Sequence, residues 1–288
     1  MAAGASVLLI AGALAWELTV NSSLAWKSQG LGFLTRSTWD PVEEVFGVLP
    51  FLFGTLYSSF LALAISVPLG VGAAVFLAEL APRRFSDAAT FLIELLAAVP
   101  SVVLGLMGIF VLVPAVRAVE PSLERWLGFL PFFRGPAYGV GMLSAALVLS
   151  VMVLPYITSI TRDVLLSVPR PLKEAMLALG ATRWEVVRNV SLPYARPGII
   201  GAIFLALGRA LGETMAVTMV IGNNPKISWS LFEPGYTMSA VIANEFAEAT
   251  SDEYLHALVA VALVLFVVTV VINGLARILL GRVMRRAA

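Results

Sequence analysis

Two side chains of opposite charge stand inside a stretch that is otherwise apolar, at residues 198–222. Arg209 follows Gly198 by 11 residues, which is roughly 16 Å along a helix and thus near the middle of a ~30 Å bilayer core. A central arginine costs about 2.5–3.5 kcal/mol even on low estimates, so such a residue faces a cavity or a partner. Glu213 comes four residues later, on the same helical face. The pair either neutralises itself or presents a planar guanidinium fork to an oxyanion.

Three further polar residues could assist an anion. Thr214 and Thr218 would add hydroxyl donors on neighbouring faces, although a threonine in a membrane helix can instead bond a carbonyl of its own helix. Glu94 stands at the start of another apolar stretch, where it is either an interface carboxylate or part of an exit path.

Most other chemistry is excluded by residue type. The chain has no cysteine and one histidine, His256, so neither a thiolate nor a histidine cluster is available for catalysis or for a metal. None of its three lysines follows a glycine, so the phosphate-binding motif G-x4-G-K-[ST] is absent. We therefore expect no catalytic residue, no metal site and no ATPase site in this chain. Its energy source must be a separate subunit or an ion gradient.

The composition is that of a membrane protein. The 288 residues are 59% hydrophobic and 13% charged, with a mean hydropathy of +0.93, whereas soluble domains are about 45–50% apolar and about 25% charged. This excludes a soluble enzyme and a disordered chain. With 19 basic and 18 acidic residues the net charge is only +1, which excludes a nucleic-acid binder. The expected surroundings are a lipid bilayer.

Uncharged stretches locate the spans. Four of them are 22 to 34 residues long, above the threshold of about 18 residues for a membrane helix, and two weaker stretches complete an all-α bundle of six transmembrane helices. Ala13-Leu14-Ala15 looks like a signal-peptidase site, but no basic residue precedes Lys27, so we expect the first helix to be retained. The predicted spans are residues 3–22, 47–78, 88–116, 136–161, 198–222 and 255–280.

The loops differ in basic residues. Those after the second, fourth and sixth spans hold 12 arginines and lysines, and those after the first, third and fifth hold 6. Because cytoplasmic loops carry the excess of positive charge, we predict a multi-pass protein of the cytoplasmic membrane with both termini in the cytoplasm.

The segment 162–197 has the pattern of two short surface helices. Leu172, Ala175, Met176 and Leu179 form an apolar stripe that Gly180 ends. Thr182 and Glu185 then form a capping box for a second helix, which we expect to end at Pro193 and Pro197. The pair is either a simple interfacial element or a docking surface for a soluble partner.

This segment resembles the EAA loop of ABC importer permeases, whose pattern is E-A-A-x3-G-x9-I-x-L-P. The matching coupling residues here are Glu174, Ala175, Met176, Gly180, Val190, Leu192 and Pro193. The resemblance implies a type I ABC importer permease whose loop contacts an ATPase subunit. It also implies an organisation into a first helix and outer loop (1–46), a five-helix core (47–281) that includes the loop 162–197, and a short basic tail (282–288).

A second resemblance concerns the substrate. Residues 208–217 read GRALGETMAV and are similar to a signature of phosphate importer permeases, of the C subunit more than the A subunit; residues 94–101 and 221–223 extend the match. This implies that Arg209, Glu213, Thr214 and Thr218 line the phosphate path. Glu213 would orient the guanidinium or accept a proton from a phosphate OH, which would disfavour sulfate.

The same resemblance implies the partners. They are a second, PstA-like permease chain, two PstB-like ATPase subunits that carry ATP and Mg²⁺, and an external PstS-like phosphate-binding protein. This chain itself would bind no cofactor.

Three alternatives remain. The substrate could be another oxyanion, molybdate or sulfate. An ion-coupled secondary transporter would show two repeated halves, and no internal repeat is visible. An intramembrane enzyme would need an acid/base or nucleophile constellation, for which Arg209 and Glu213 are too few.

Overall fold

The computed structural model describes the backbone of residues 2–287 and the side chains of residues 4–281. Within this part of the chain the regular structure is helical, apart from one bridge between Asp40 and Val45. Among the described residues, six helices are long and apolar enough to cross a membrane, which confirms the predicted all-α fold. They are Gly4–Asn21, Leu49–Leu80, Ser101–Leu127, Met142–Leu166, Arg183–Gly212 and Asp252–Gly281.

The connections between helices vary in length, up to the segment 222–237. π turns lie within the third and fifth spans, at Gly108–Leu112 and Val187–Ser191, and at the end of the second span, at Phe76–Leu80. In chain order the α-helices are α1 (Ala2–Asn21), α2 (Ser23–Gln29), α3 (Gly32–Thr35), α4 (Leu49–Val75), α5 (Arg83–Ala97), α6 (Ser101–Met107), α7 (Val113–Leu127), α8 (Met142–Leu166), α9 (Arg170–Ala178), α10 (Arg183–Val186), α11 (Leu192–Gly212), α12 (Met215–Ile221), α13 (Met238–Glu245) and α14 (Asp252–Ala287). The backbone of α14 runs into the predicted basic tail, and the tail's side chains from residue 282 on lie outside those described.

The chain divides into two compact units. The first comprises Met1–Ser58, Val102–Ala146 and Leu211–Val271, and the second comprises Ser59–Ser101, Leu147–Ala210 and Ile272–Ala288.

An aromatic cluster forms the centre of the first unit. Trp39 packs edge-on against Phe46 and Phe51, with ring centroids 4.9 and 4.8 Å apart. The Trp39 indole N–H and the Tyr254 hydroxyl both donate to Glu245 Oε2, at 2.8 and 2.7 Å. One carboxylate thus satisfies the polar edges of two aromatic side chains, as burial of such groups requires.

Small residues bring helices together in the second unit. Ile157 of α8 meets Ala206 and Ala210 of α11, and Val67 of α4 packs against them. At Gly70 of α4 an added Cβ would lie 2.9 Å from a methyl carbon of Ile157. Small side chains allow this close approach, which is how helices gain packing energy in lipid.

The third span is displaced from its predicted position. It begins at Ser101 rather than residue 88, and Glu94 lies in the separate helix α5. Pro100 disfavours the helical conformation of the residue before it and so divides the two helices. The span also continues past residue 116 to Leu127. Glu120 is buried there and its Oε2 accepts a hydrogen bond from the Gly139 N–H at 2.9 Å, so a charged residue does not end the helix.

The prediction that the second surface helix ends at Pro193 and Pro197 is wrong. It begins with α10, passes through the π turn Val187–Ser191 and continues as α11 to Gly212. A π turn already breaks the regular hydrogen-bond ladder, so the missing N–H of Pro193 can be accommodated there, and transmembrane helices tolerate proline where neighbours re-satisfy the backbone.

The fifth span is not continuous to residue 222. The helix α11 ends at Gly212, Glu213 and Thr214 are not helical, and α12 begins at Met215. The expectation that Arg209 and Glu213 share the face of one continuous helix is therefore wrong. Non-helical backbone at membrane depth is found where protein buries it or where it lines a cavity.

Candidate anion pathway and coupling surface

Arg209 lies in the last turn of α11, in the second unit. The guanidinium carbon is 4.9 Å from the centre of the Tyr156 ring of α8, so the cation is held over an aromatic face. Its Nε is buried and has no hydrogen-bond partner among the described residues. A buried donor without a partner is costly, and this nitrogen is therefore available to a ligand that brings an oxygen.

Glu213 lies just beyond the helix end, in the first unit, and is 9% exposed. Its backbone carbonyl accepts a hydrogen bond of 2.7 Å from the Ser239 hydroxyl in α13. Its Oε1 is 3.5 Å from the Ala216 N–H, a long and therefore weak contact. Ser239 fixes the backbone of the break while the carboxylate keeps most of its acceptor capacity.

The two threonines donate to their own segment. The Thr214 hydroxyl donates to the Gly212 carbonyl at 3.3 Å, and the Thr218 hydroxyl donates to the Thr214 carbonyl at 2.8 Å. This is the second of the two arrangements that the sequence allowed. In this conformation their oxygens can accept hydrogen bonds, and a role as donors to an anion requires the hydroxyls to exchange partners.

The turn between α9 and α10 is built as the sequence predicts. Gly180 has φ +88°, and the Ala181 N–H donates to the Met176 carbonyl. The helix α9 thus ends in a C-cap whose glycine adopts the left-handed conformation. Glu185 Oε2 accepts from the Thr182 N–H at 2.7 Å, and the Thr182 hydroxyl oxygen accepts from the Glu185 N–H at 3.3 Å. The capping box is therefore complete, and it sets the direction in which α10 leaves the turn.

An apolar groove of about 640 Å³ lies between α9 and the start of α11. The predicted coupling residues that line it are Ala175, Met176, Val190 and Pro193. Glu174 and Gly180 are exposed, and Leu192 packs against the apolar cluster of the second unit. Leu179, which also lines the groove, is 85% exposed. The groove and its apolar rim form a surface that a partner can cover.

Charged residues join distant segments of the second unit, and Lys173 among them lies in the groove-lining helix α9. Lys173 of α9 forms an ion pair of 2.7 Å with Glu79, and Arg162 of α8 reaches the Ser86 hydroxyl at 3.2 Å and the Asp87 carboxylate at 3.4 Å. The partners are 94 and 76 residues apart along the chain for Lys173–Glu79 and Arg162–Ser86. No short-range pattern reveals such pairs.

Comparison with known proteins identifies relatives along nearly the whole chain. A family model described as "Binding-protein-dependent transport system inner membrane component" matches residues 66–285. The "Phosphate transport system permease protein PstC" of Mesorhizobium japonicum is 48% identical, over 98% of this chain and 88% of its own length. The protein of that name from Xylella fastidiosa strain 9a5c is 45% identical, over 99% and 89%.

Solved structures share the fold. A chain of a bacterial ABC transporter involved in the import of the acidic polysaccharide alginate is 19% identical, with a TM-score of 0.62 over 91% of this chain and 89% of that chain. A chain of the MetNI methionine ABC transporter in an inward-facing conformation is 21% identical, with a TM-score of 0.55 over 82% and 94%. The chain therefore belongs to the family of binding-protein-dependent transport system inner membrane components, together with these PstC relatives.

Proposed function

We propose that this chain is the permease subunit through which an ATP-driven importer moves inorganic phosphate into the cytoplasm. The observation that carries the proposal is the half-buried guanidinium of Arg209, whose Nε has no partner among the described residues. The relatives named phosphate transport permeases at 48% and 45% identity support phosphate as the anion.

Arg209 replaces part of the hydration shell of the passing anion. Phosphate must leave water to cross the membrane, and it needs a cation with hydrogen-bond donors to do so. The planar guanidinium supplies both, and the Tyr156 ring limits its rotation. An arginine held in this way selects for oxyanions and against cations.

Glu213 distinguishes one oxyanion from another. Phosphate carries a proton at neutral pH that a carboxylate can accept, and sulfate carries none. The carboxylate of Glu213 is buried and weakly engaged, so an approaching sulfate meets uncompensated negative charge. Thr214 and Thr218 follow the same path and contribute hydroxyl groups to it.

The groove between α9 and α11 receives the ATPase. The groove is apolar, bordered by exposed apolar side chains, and contains the residues that match the EAA pattern. Two ATPase subunits carrying ATP and Mg²⁺, a second permease chain and an external phosphate-binding protein complete the assembly. The excess of basic residues beside this groove supports a cytoplasmic location for the groove and for both termini.

The test is uptake of labelled phosphate by vesicles that hold this chain with its co-purified partners. Wild type is compared with Arg209→Gln, and with Arg125→Gln as an exposed control on α7. We expect uptake that requires ATP, and a loss of about tenfold or more in Arg209→Gln, because a hydrogen bond to a charged group contributes about 1.5–3 kcal/mol. Gel filtration of each complex shows whether it assembles.

Competing anions and ionophores separate the alternatives. ATP-driven transport of sulfate or molybdate without phosphate uptake would keep the permease and replace the substrate. Uptake that an ionophore abolishes and ATP does not drive would indicate a secondary transporter. Product formation without a gradient would indicate an enzyme, and normal uptake by an assembled Arg209→Gln complex would remove Arg209 from the path.

A further inference from the structure

We propose that the ion pair between Lys173 and Glu79 is the positioning contact that carries movement of α9 to the end of the second span, and so couples ATP hydrolysis to transport. The inference rests on the proposed function, since it takes α9 as part of the surface that meets an ATPase. It adds the contact through which a movement of α9 reaches the second transmembrane span.

The pair is close and largely shielded from water. Lys173 Nζ lies 2.7 Å from Glu79 Oε1 and also contacts the Leu165 carbonyl, at 3.4 Å. The Lys173 side chain is 19% exposed and that of Glu79 is 10% exposed. Breaking a shielded pair leaves an uncompensated charge, so the two residues resist separation far more than an exposed pair does.

The pair joins two elements that lie far apart along the chain. Glu79 lies in the π turn that ends the second span, and Lys173 lies in the first half of α9. None of the residues of α9 is fully buried, so α9 adds no side chain to a core that would fix it to that span. The charged contact therefore supplies the specific attachment.

A stiff apolar cluster lies next to the pair. Ala74 and Val75 of α4 pack with Leu165 of α8, with Val187 of the π turn and with Ala195 of α11. Close-packed interiors move as units rather than deform continuously. A displacement of Lys173 is thus delivered to Glu79 at the boundary of this cluster, and the continuous helix Leu49–Leu80 carries it onward.

The same region offers a matched control. Arg162 and Asp87 are 3.4 Å apart, but the Asp87 side chain is 75% exposed. Water and ions screen such a pair, and exposed pairs contribute little. Asp87→Asn removes a charge in the same unit, and the Arg162 guanidinium that it leaves, 14% exposed, keeps the Ser86 hydroxyl at 3.2 Å and the Asp163 carboxylate at 3.7 Å.

The experiment measures phosphate uptake and ATP hydrolysis in the same vesicles, with the full complex and external binding protein. We expect Lys173→Gln and Glu79→Gln each to lower uptake per ATP hydrolysed about fivefold or more, the lower end of coupling effects between sites. The double variant should be no worse than either single one, because both changes remove one contact. Glu79→Lys with Lys173→Glu should restore part of the ratio, and Asp87→Asn should leave it unchanged.

Two patterns overturn the inference alone while wild type transports normally. One is an equal fall in uptake and hydrolysis, which reports a lower amount of folded complex. The other is an unchanged ratio in assembled single variants. Absence of ATP-driven phosphate uptake in wild type overturns the proposed function, and this inference with it.

Discussion

Glu213 lies in an interruption between two helices, and it does not share a helical face with Arg209. The helix α11 ends at Gly212, and the Ser239 hydroxyl holds the Glu213 carbonyl at 2.7 Å. The sequence predicts that both charges lie deep in the membrane, because they stand inside an otherwise apolar stretch. It also predicts that each needs a compensating partner there. It does not predict the break, because the stabilising hydroxyl is 26 residues away along the chain. The location of the two charges within a membrane span was therefore predictable, and the backbone geometry between them was not.

Replacing Glu213 with glutamine should weaken discrimination between phosphate and sulfate. The variant removes the negative charge that opposes sulfate and retains a side chain of the same shape. We expect the sulfate concentration that halves phosphate uptake to fall about tenfold or more, since buried polar groups matched to a substrate hydroxyl discriminate strongly. Uptake of labelled phosphate at graded sulfate concentrations measures this.

The exposed Glu124 of α7 provides the control. Glu124→Gln changes the net charge by the same amount and should leave competition unchanged. If Glu213→Gln keeps the wild-type uptake and the wild-type sulfate competition, Glu213 has no role in selectivity and serves only the packing of the break.

Helix α4 shows why glycines in a span are not equivalent. An added Cβ at Gly54 would collide with the Tyr236 carbonyl oxygen, whereas at Gly72 it would meet no atom within 4 Å. Next to Gly54, the Thr55 hydroxyl oxygen accepts the Met238 N–H at 2.9 Å. Both are small residues of the kind that permits close packing of helices in lipid. Only the fold reveals which of them faces a backbone, because that partner lies far along the chain.

Gly54→Ala should destabilise the protein and Gly72→Ala should not. The first substitution forces a methyl group against a carbonyl that cannot rotate away, and overpacking of this kind costs about 1–3 kcal/mol or more. The second replaces an exposed helical glycine, which in a helix interior gains up to about 1 kcal/mol. Thermal unfolding of the two purified complexes in one detergent measures the difference. Equal Tm values for Gly54→Ala and wild type would show that α4 can shift away from Tyr236.

Helix ends in this chain depend on interactions that hydropathy does not record. The absence of charge located the spans, since each charge in lipid is costly. It misplaced the end of the third span, because the buried Glu120 carboxylate accepts the Gly139 N–H. Proline also predicted an end too early, since the π turn Val187–Ser191 lets the fifth span pass Pro193. Spans are therefore more predictable than their boundaries.

For the molecule as a whole, the number of spans in the described residues and the turn between α9 and α10 followed from the sequence, whereas the division into two compact units did not. Each unit combines three segments that are separated in the chain. Hydropathy describes each segment of the chain separately, so it does not predict which distant segments pack together. The orientation across the membrane is a different case, because it follows from the distribution of charge in the loops and stays a prediction.

Single cysteines can test that orientation directly, because the chain has none of its own. Ser37 and Ser167 are exposed, and the charge distribution assigns them to opposite sides, while Ser66 is buried in the second span. We expect a membrane-impermeant thiol reagent to label Ser37→Cys in right-side-out vesicles and Ser167→Cys in inside-out vesicles. Ser66→Cys should stay unlabelled in both. Labelling of Ser167→Cys from the outside would invert the topology and place the groove beside α9 where no cytoplasmic ATPase could reach it, so this result would contradict the coupling proposal as well as the orientation.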